Sequence, residues 1–396
     1  MPMTSSLPTL ELPPFLKKSL VEGHPWVYRD HVPKNFRAPS GTWVQARAGN
    51  WTGYALWDAT SPLALRIFSQ RQPPDERWVA ARVASAWALR EPIRQQQQTS
   101  AYRWIFGEGD HLPGLTVDLY GAYAVLATYS ESLESIVPWV VAAMRDTAPL
   151  QGIVRRRRGE RDEETGKIEA LWGELPPRDL IVEEHGLRFR ANLYEGQKTG
   201  LFLDHRENRY YLQHLTEGKR VLNLFSYSGA FSLYAARGGA SQVTSVDIAP
   251  GAAADARANF ALNGLDPDEH KFVVADVFDY LERLRIEKRR FDIVICDPPS
   301  FARNKEQLPQ ALKAYARVNA MGMRVTEPGG LYAAASCTTQ VSPDAFRDVL
   351  ADAARQAGRR FQIIHDVGHP LDHPIMAQHL EGRYLKFVLG RVESIW

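Results

Sequence analysis

The chain has 396 residues, enough for two or three domains, with 44% hydrophobic and 24% charged residues. No apolar run approaches the ~18 residues of a membrane helix, and the N-terminus lacks a basic stretch followed by an apolar one, so neither a membrane protein nor a secreted one is expected. Two cysteines, Cys296 and Cys337, exclude a disulfide framework and fit a cytoplasmic chain, and a net charge of +2 is compatible with nucleic-acid binding without demanding it.

Residues 1–72 read as a small β-rich module, with alternating apolar runs at 41–47, 51–58 and 63–69 separated by turn residues. A linker at 70–75 leads to a helix over 76–90. The glutamines at 95–98 mark a helix end or surface loop. Strands follow at 115–120 and 122–129, then a helix over 131–147 and a charge run at 155–164 that reads as a solvated loop. Pro176-Pro177 closes this central α+β region.

From about residue 200 the pattern changes. Strand-like runs at 220–225, 242–247, 271–276, 291–296 and 330–336 alternate with Ala-rich helical stretches, the signature of βαβ units and a parallel sheet covered on both faces. The last two runs, 361–367 and 383–392, are joined only by a loop, which permits antiparallel pairing. The expectation is a Rossmann-like α/β domain ending in an antiparallel hairpin.

Ligands of such sheets bind at the carboxyl ends of the strands, near the topological switch point. Three aspartates fall there. Asp247 is placed to accept both hydroxyls of an adenosine ribose. Asp276, with Val277 beside it, is placed near the adenine amino group, and Asp297 ends the fourth run. Each could instead simply cap the helix that follows. The first turn, Phe225-Ser226-Tyr227-Ser228-Gly229, lacks the glycine spacing that lets a backbone approach a pyrophosphate, which argues against NAD and FAD. S-adenosyl-L-methionine has no phosphates and needs only one close backbone approach, which Gly229 offers.

The turn Asp297-Pro298-Pro299-Ser300 cannot continue a ladder, and it holds a carboxylate at the strand tip where it can take the amino face of a nucleobase. Cys337 follows the fifth run. A thiolate there could add to carbon 6 of cytosine and make carbon 5 nucleophilic, but a small buried cysteine is an equal reading from spacing alone. Cys296, inside an apolar strand, reads as buried.

Taken together, these residues resemble the PUA-domain-containing large-subunit rRNA cytosine-C5 methyltransferases of bacteria. The resemblance runs along nearly the whole chain. It is carried by HPWVY (24–28), SPLALR (61–66), GEGDHLPGL (107–115), EEHG (183–186), EGQKTGLFLDHRENR (195–209), FSYSG (225–229), DPPSF (297–301), SC (336–337), DHP (372–374) and YLK (384–386). It implies a PUA-like RNA-binding domain at 1–72, a central RNA-binding domain at 73–194 and a class I methyltransferase domain at 195–396. It also implies Cys337 as nucleophile with Asp297 beside it. Cofactor contacts would come from Lys198, Thr199, Gly200, Asp204 and Arg206, joined by Phe225, Ser226, Tyr227, Gly229, Asp247, Asp276, Val277, Asp297 and Pro298. The expected partner is RNA, with no metal and no membrane, for a monomer or homodimer. The cysteine motif reads Ser-Cys-Thr where relatives often have Ser-Cys-Ser. Lys198, His205, Arg206 and Arg209 read as cations for RNA phosphates, together with the N-terminal module and the arginines at 155–158. The embedded Leu201-Phe202-Leu203 suggests docking. The alternatives are an exocyclic-amine methyltransferase and a non-catalytic ribosome-assembly factor.

Overall fold

The computed structural model describes residues 7–156, 168–194, 200–302 and 304–395. The chain divides into two compact units: Met1–Val182 with Ala191–Leu203 and Leu371–Gly382, and Glu183–Arg190 with Asp204–Pro370 and Arg383–Trp396.

The first unit opens with strand β1 (Thr9–Glu11), helix α1 (Lys17–Val21) and strands β2 (Trp26–Tyr28), β3 (Trp43–Ala48), β4 (Trp51–Trp57) and β5 (Leu63–Ser69). These strands form one sheet in the order β1-β3-β4-β5-β2, with β1 parallel to β3 and the other pairs antiparallel. Alternation works as the sequence requires. Val44, Ala46 and Ala48 of β3 point inward onto Leu10, Leu20, Val27 and Leu65.

Next come α2 (Glu76–Leu89), α3 (Glu91–Gln95), β6 (Ala101–Phe106), β7 (Leu115–Tyr120), β8 (Tyr123–Thr128), α4 (Val137–Thr147), β9 (Gly152–Arg156) and β10 (Ile168–Gly173). The strands form a second sheet, β10-β9-β8-β7-β6, on which α2 and α4 pack through Val79, Val83, Val140 and Met144. The helix expected over 131–147 is split. A 3-10 turn at Glu131–Ser135 precedes α4, whose first turn holds Pro138, a residue that supplies no N–H and suits only a helix start. The charge run also departs from expectation: Arg155 lies in β9, is buried and pairs with Glu134 at 2.7 Å. Its guanidinium is therefore spent inside the fold rather than offered to RNA. Residues 157–164 of that run lie outside the described residues.

A buried polar knot ties this unit together. Arg90 forks onto Asp110 at 2.6 and 2.7 Å and also donates to the Asp372 carbonyl at 2.7 Å. The Asp372 carboxylate in turn accepts from the Arg103 N–H at 2.9 Å.

After the two-stranded pair β11 (Ile181–Glu184) and β12 (Leu187–Arg190), the second unit runs α5 (Arg206–Gln213), β13 (Arg220–Leu224), α6 (Ala230–Arg237), β14 (Gln242–Asp247), α7 (Pro250–Leu262) and β15 (Lys271–Val274). It continues α8 (Val277–Ile286), β16 (Phe291–Cys296), α9 (Leu308–Arg324), β17 (Thr326–Ser336), α10 (Pro343–Ala357), β18 (Arg359–Val367) and β19 (Lys386–Ser394). Its seven strands lie in the order β15-β14-β13-β16-β17-β19-β18, parallel through β17, with β19 inserted antiparallel between β17 and β18. Because these strands are covered on both faces, they read as near-continuous apolar runs. Leu222, Leu224, Val246, Val294 and Cys296 sit in one core with α8, α9 and α10.

Candidate active site

Register decides which residues meet at the carboxyl ends. Leu224 pairs with Val246 on one side and Cys296 on the other. The next residues, Phe225, Asp247 and Asp297, therefore form a row with strands ~4.8 Å apart, at the point where successive crossovers diverge. Cys296 pairs in turn with Ala334 of β17, and Cys337 lies just past that strand.

The turn after β13 is held in an unusual conformation. Phe225 and Tyr227 both adopt left-handed φ, +57° and +46°. Such residues persist only where their surroundings over-determine them. Here the Ser226 N–H donates to the Val246 carbonyl at 3.0 Å, and the Tyr227 N–H to Asp247 Oδ2 at 2.8 Å. Gly229 follows at φ +75°, and a Cβ there would lie 2.7 Å from the Ala256 Cβ. The missing side chain thus lets α7 approach the turn, a packing reason the sequence did not reveal.

Asp247 is fixed through both oxygens, since Oδ1 accepts from the Ala249 N–H at 3.0 Å. Each carboxylate oxygen keeps a further lone pair, so two aimed acceptors remain for a pair of hydroxyls. Asp276 does cap a helix: its Oδ1 accepts from the N–H groups of Phe278 and Asp279 at 2.8 and 3.2 Å at the start of α8. Its other oxygen takes no part in the cap. Val277, Pro298 and Ser226 are buried beside these tips. A fixed diacceptor with no phosphate-binding glycine run fits the adenosine of S-adenosyl-L-methionine.

The segment before β13 is only partly as expected. Lys198 and Thr199 lie outside the described residues, and Gly200 belongs to the first unit at φ +125°. Leu201 and Leu203 are buried, as docking requires. Asp204 accepts from the Tyr384 hydroxyl at 2.7 Å. Arg206 and Arg209, expected on RNA phosphates, are buried instead. Arg206 donates to Glu207 at 2.9 Å, and Arg209 forks onto the buried Glu184 at 2.7 and 2.8 Å. An arginine desolvated to this degree needs a fixed carboxylate, which leaves no cation for a phosphate.

At the Asp-Pro-Pro turn, Asp297 Oδ2 stands 3.5 Å from His205 Nε2. His205 Nδ1 is 3.0 Å from the Asn208 side-chain amide. With the amide donating to Nδ1, the ring proton sits on Nε2 and faces the carboxylate. The neighbouring cysteine turn is locked to this one: Thr338 Oγ1 is 2.9 Å from Ser300 Oγ and 2.7 Å from the Tyr315 hydroxyl. Cys337 is half-buried between them, whereas Cys296 is fully buried and burial pushes its thiol up to about 12.

Lys386 figures in the sequence only as part of the YLK marker, with no role attached. It opens β19 directly opposite Ser336, is 2% exposed, and donates through Nζ to the carbonyls of Thr338 and Tyr384 at 2.6 and 2.7 Å. Burial pulls its ammonium down to about 8, while the charge of a thiolate at Cys337 works in the opposite sense. The signal was a lone lysine opening an otherwise apolar strand, Lys386-Phe-Val-Leu-Gly.

Residues 145–380 match the S-adenosylmethionine-dependent methyltransferase family and residues 10–70 a PUA-like domain. The chain belongs to the S-adenosylmethionine-dependent methyltransferases. Within them it is 36% identical to the ribosomal RNA large subunit methyltransferase I of Shewanella amazonensis, over 97% of this chain and 99% of that one. It is 39% identical to the ribosomal RNA large subunit methyltransferase of Deinococcus radiodurans, over 94% of each. The solved structure of SMU.776 complexed with SAH superposes with a TM-score of 0.87 at 28% identity, over 97% of this chain and all of that one. This methyltransferase accordingly uses S-adenosyl-L-methionine, and its first sheet is the PUA-like domain.

Among the described residues, one His and carboxylate group brings ligand atoms within 4.8 Å of one another: His24, His379 and Glu381, in the first unit. The Trp26 N–H donates to His24 Nδ1 at 3.3 Å, which leaves the proton on Nε2, 3.4 Å from Glu381. That is a hydrogen-bonded arrangement, because a metal at Nε2 would need the proton on Nδ1, where the Trp26 N–H already donates. No described helix is long and apolar enough to cross a membrane.

Proposed function

We propose that this methyltransferase forms 5-methylcytosine in large-subunit rRNA through a covalent bond to Cys337. The observation that carries the reading is the half-buried Cys337 thiol, with the Lys386 ammonium on the carbonyl of the next residue, in a turn tied through Thr338 and the Ser300 hydroxyl to the Asp-Pro-Pro-Ser turn. The relatives named for large-subunit rRNA support the substrate. On this reading the chain works in three parts, with boundaries near residues 72 and 194.

Lys386 carries three N–H bonds when charged, and two carbonyls take two of them. As the neutral amine it keeps those two N–H bonds and turns its lone pair to Cys337, so a proton leaving the thiol is received at Nζ as the third N–H, and the thiolate keeps the ammonium so formed beside it. The thiolate adds to carbon 6 of a cytosine extruded from its stack, and the carbon 5–carbon 6 π pair localises on carbon 5. Bound S-adenosyl-L-methionine supplies the electrophilic methyl group. As carbon 5 takes that methyl, the methyl–sulfonium bond breaks to leave the thioether S-adenosylhomocysteine; the carbon 5 proton then leaves to solvent water, and expulsion of the Cys337 thiolate breaks the sulfur–carbon 6 bond and restores the ring. Asp297, oriented by His205, accepts from the cytosine amino group and holds the ring edge. Asp247 holds the ribose hydroxyls of the cofactor.

RNA containing 5-fluorocytosine tests this, because fluorine at carbon 5 cannot leave as a proton and the adduct persists. The wild type should form an RNA–protein cross-link that survives denaturation and maps to Cys337, while Cys337→Ala forms none. Methylation of RNA by Cys337→Ala at a substantial rate would instead point to an exocyclic amine as acceptor.

A further inference from the structure

The opposite edge of the same sheet, where β16, β17 and β18 begin, carries a groove of about 720 Å³. Six basic side chains line it: Arg285, Lys288, Arg289, Arg290, Arg324 and Arg359. They come from different segments, the end of α8 and the turn after it, the end of α9, and the first residue of β18. Glu327 is the one carboxylate in the lining, and it is shared between Arg220 at 3.2 Å and Arg290 at 3.9 Å. Arg285 has Glu282 at 2.7 Å, and Arg289 has Glu287 at 3.4 Å, but these are exposed pairs that exchange readily with another anion. Arg359 is the sharpest sign. Its Nε is buried with no hydrogen-bond acceptor, and burial and the neighbouring Arg290 charge both disfavour its charged form. With one carboxylate in the lining and two exposed partners outside it, the six cations leave the groove net positive, an arrangement that an anion completes.

We propose that this groove binds the phosphodiester backbone of RNA, at a segment other than the one presenting the base to be modified. The inference rests on the reading of the chain as an RNA methyltransferase. β16 has six residues, so its two ends are ~20 Å apart at the usual strand rise. A short single strand held at the carboxyl edge does not span that distance and also fill the groove, whereas a folded rRNA domain does. The groove therefore discriminates for structured RNA. It also supplies the phosphate contacts that the buried Arg155, Arg206 and Arg209 do not.

The test compares wild type with the exposed pair Lys288→Gln/Arg289→Gln. The probes are an in vitro transcript of a large-subunit rRNA domain, a short single-stranded oligonucleotide and inorganic pyrophosphate. Melting temperature and affinity for S-adenosyl-L-methionine serve as folding controls, because the cofactor residues lie at the other edge of the sheet. The expected result is roughly tenfold weaker binding of the transcript at physiological salt, and a slope of log K against log salt reduced by up to ~2. KM for the transcript rises in parallel, and affinity for the short oligonucleotide stays unchanged. Transcript binding and salt slope equal to wild type would overturn the groove alone, as would tight pyrophosphate binding with transcript binding unaltered, which would make it a site for free anions. A wild type that does not bind the transcript would overturn the RNA reading and the groove with it.

Discussion

A lysine is rarely fully buried without a partner, so the position of Lys386 needs a reason. Two backbone carbonyls hold its ammonium beside Cys337, the proposed nucleophile, with burial pulling it down to about 8. On the proposed mechanism its effect on catalysis runs through Cys337, so the variant to examine is Lys386→Met, which keeps much of the stem and removes the charge. Without the ammonium the thiolate forms less readily. The rising limb of the pH–rate profile should then move to higher pH, with about a tenfold loss at neutral pH for each unit of displacement. Much of that loss should be recovered at pH ~9, above the range in which the lysine itself titrates. Equal losses at both pH values would reduce Lys386 to a structural role. Cys337→Ala should abolish turnover yet retain cofactor affinity by calorimetry, since the thiol is not a cofactor ligand. Cys296→Ala should retain turnover, because a thiol pushed up to about 12 is never a thiolate at neutral pH. Spacing alone left Cys337 open between nucleophile and buried residue, but Cys296, within an apolar run, was legible as buried. Lys386 was not, because sequence order does not say which strands become neighbours, and β19 pairs with β17 across the whole of α10 and β18.

At the level of elements, the parallel strands were legible because each is a mostly apolar run, and three of the five, β14, β15 and β16, end at or just before an aspartate. β14 and β16 occupy the positions expected, 242–247 and 291–296. Their ends were less so. β17 begins at Thr326, not 330, because Thr-Glu-Pro-Gly-Gly reads as a turn but is accommodated by a register shift against β16. Asp276 illustrates the limit of spacing arguments. Capping and ligand binding demand the same residue at the same place, and only the structure shows the cap. Substitution separates the two roles. Asp276→Ala should cost ~1 kcal/mol of stability through the lost N-cap, and Asp276→Ser should restore most of it. If the carboxylate also holds the adenine, both variants should bind S-adenosyl-L-methionine less tightly; if it only caps, Asp276→Ser should bind as wild type does. Thermal melting and calorimetry on the same samples give both answers. The turn before α6 is more demanding. Gly229→Ala meets both the left-handed backbone and the Ala256 side chain, so a loss of ~2–4 kcal/mol is expected from strain and overpacking together.

On the scale of the whole molecule, the least legible feature is the stretch between β18 and β19. As sequence it is a loop within the C-terminal hairpin, yet Leu371–Gly382 is grouped with the first unit. What secures it there is a contact across 282 positions, Arg90 to the carbonyl of Asp372, beside the Asp372 carboxylate on the Arg103 N–H. No local pattern announces a pairing at that separation. The Asp-His-Pro at 372–374 was noticed as a marker of resemblance with no role attached. Gly109 shows how close the approach is: a Cβ there would lie 1.9 Å from the Pro374 carbonyl oxygen, a backbone atom that cannot swing aside. Gly109→Ala should therefore lever Pro374 outward, draw Asp372 from Arg90 and Arg103, and leave buried polar groups without their partners, at a cost of ~2–4 kcal/mol. Two readouts should move together: a lower melting temperature, and protease cleavage within residues 371–382 that the wild type resists. Gly251→Ala is the matched control. It lies in α7 with nothing within 4 Å of its Cβ and no left-handed φ, so it should be neutral or slightly stabilising. If Gly109→Ala behaves like Gly251→Ala in both measurements, the stretch is not held against the first unit by this knot, and the grouping of Leu371–Gly382 with residues 282 positions away loses its physical basis.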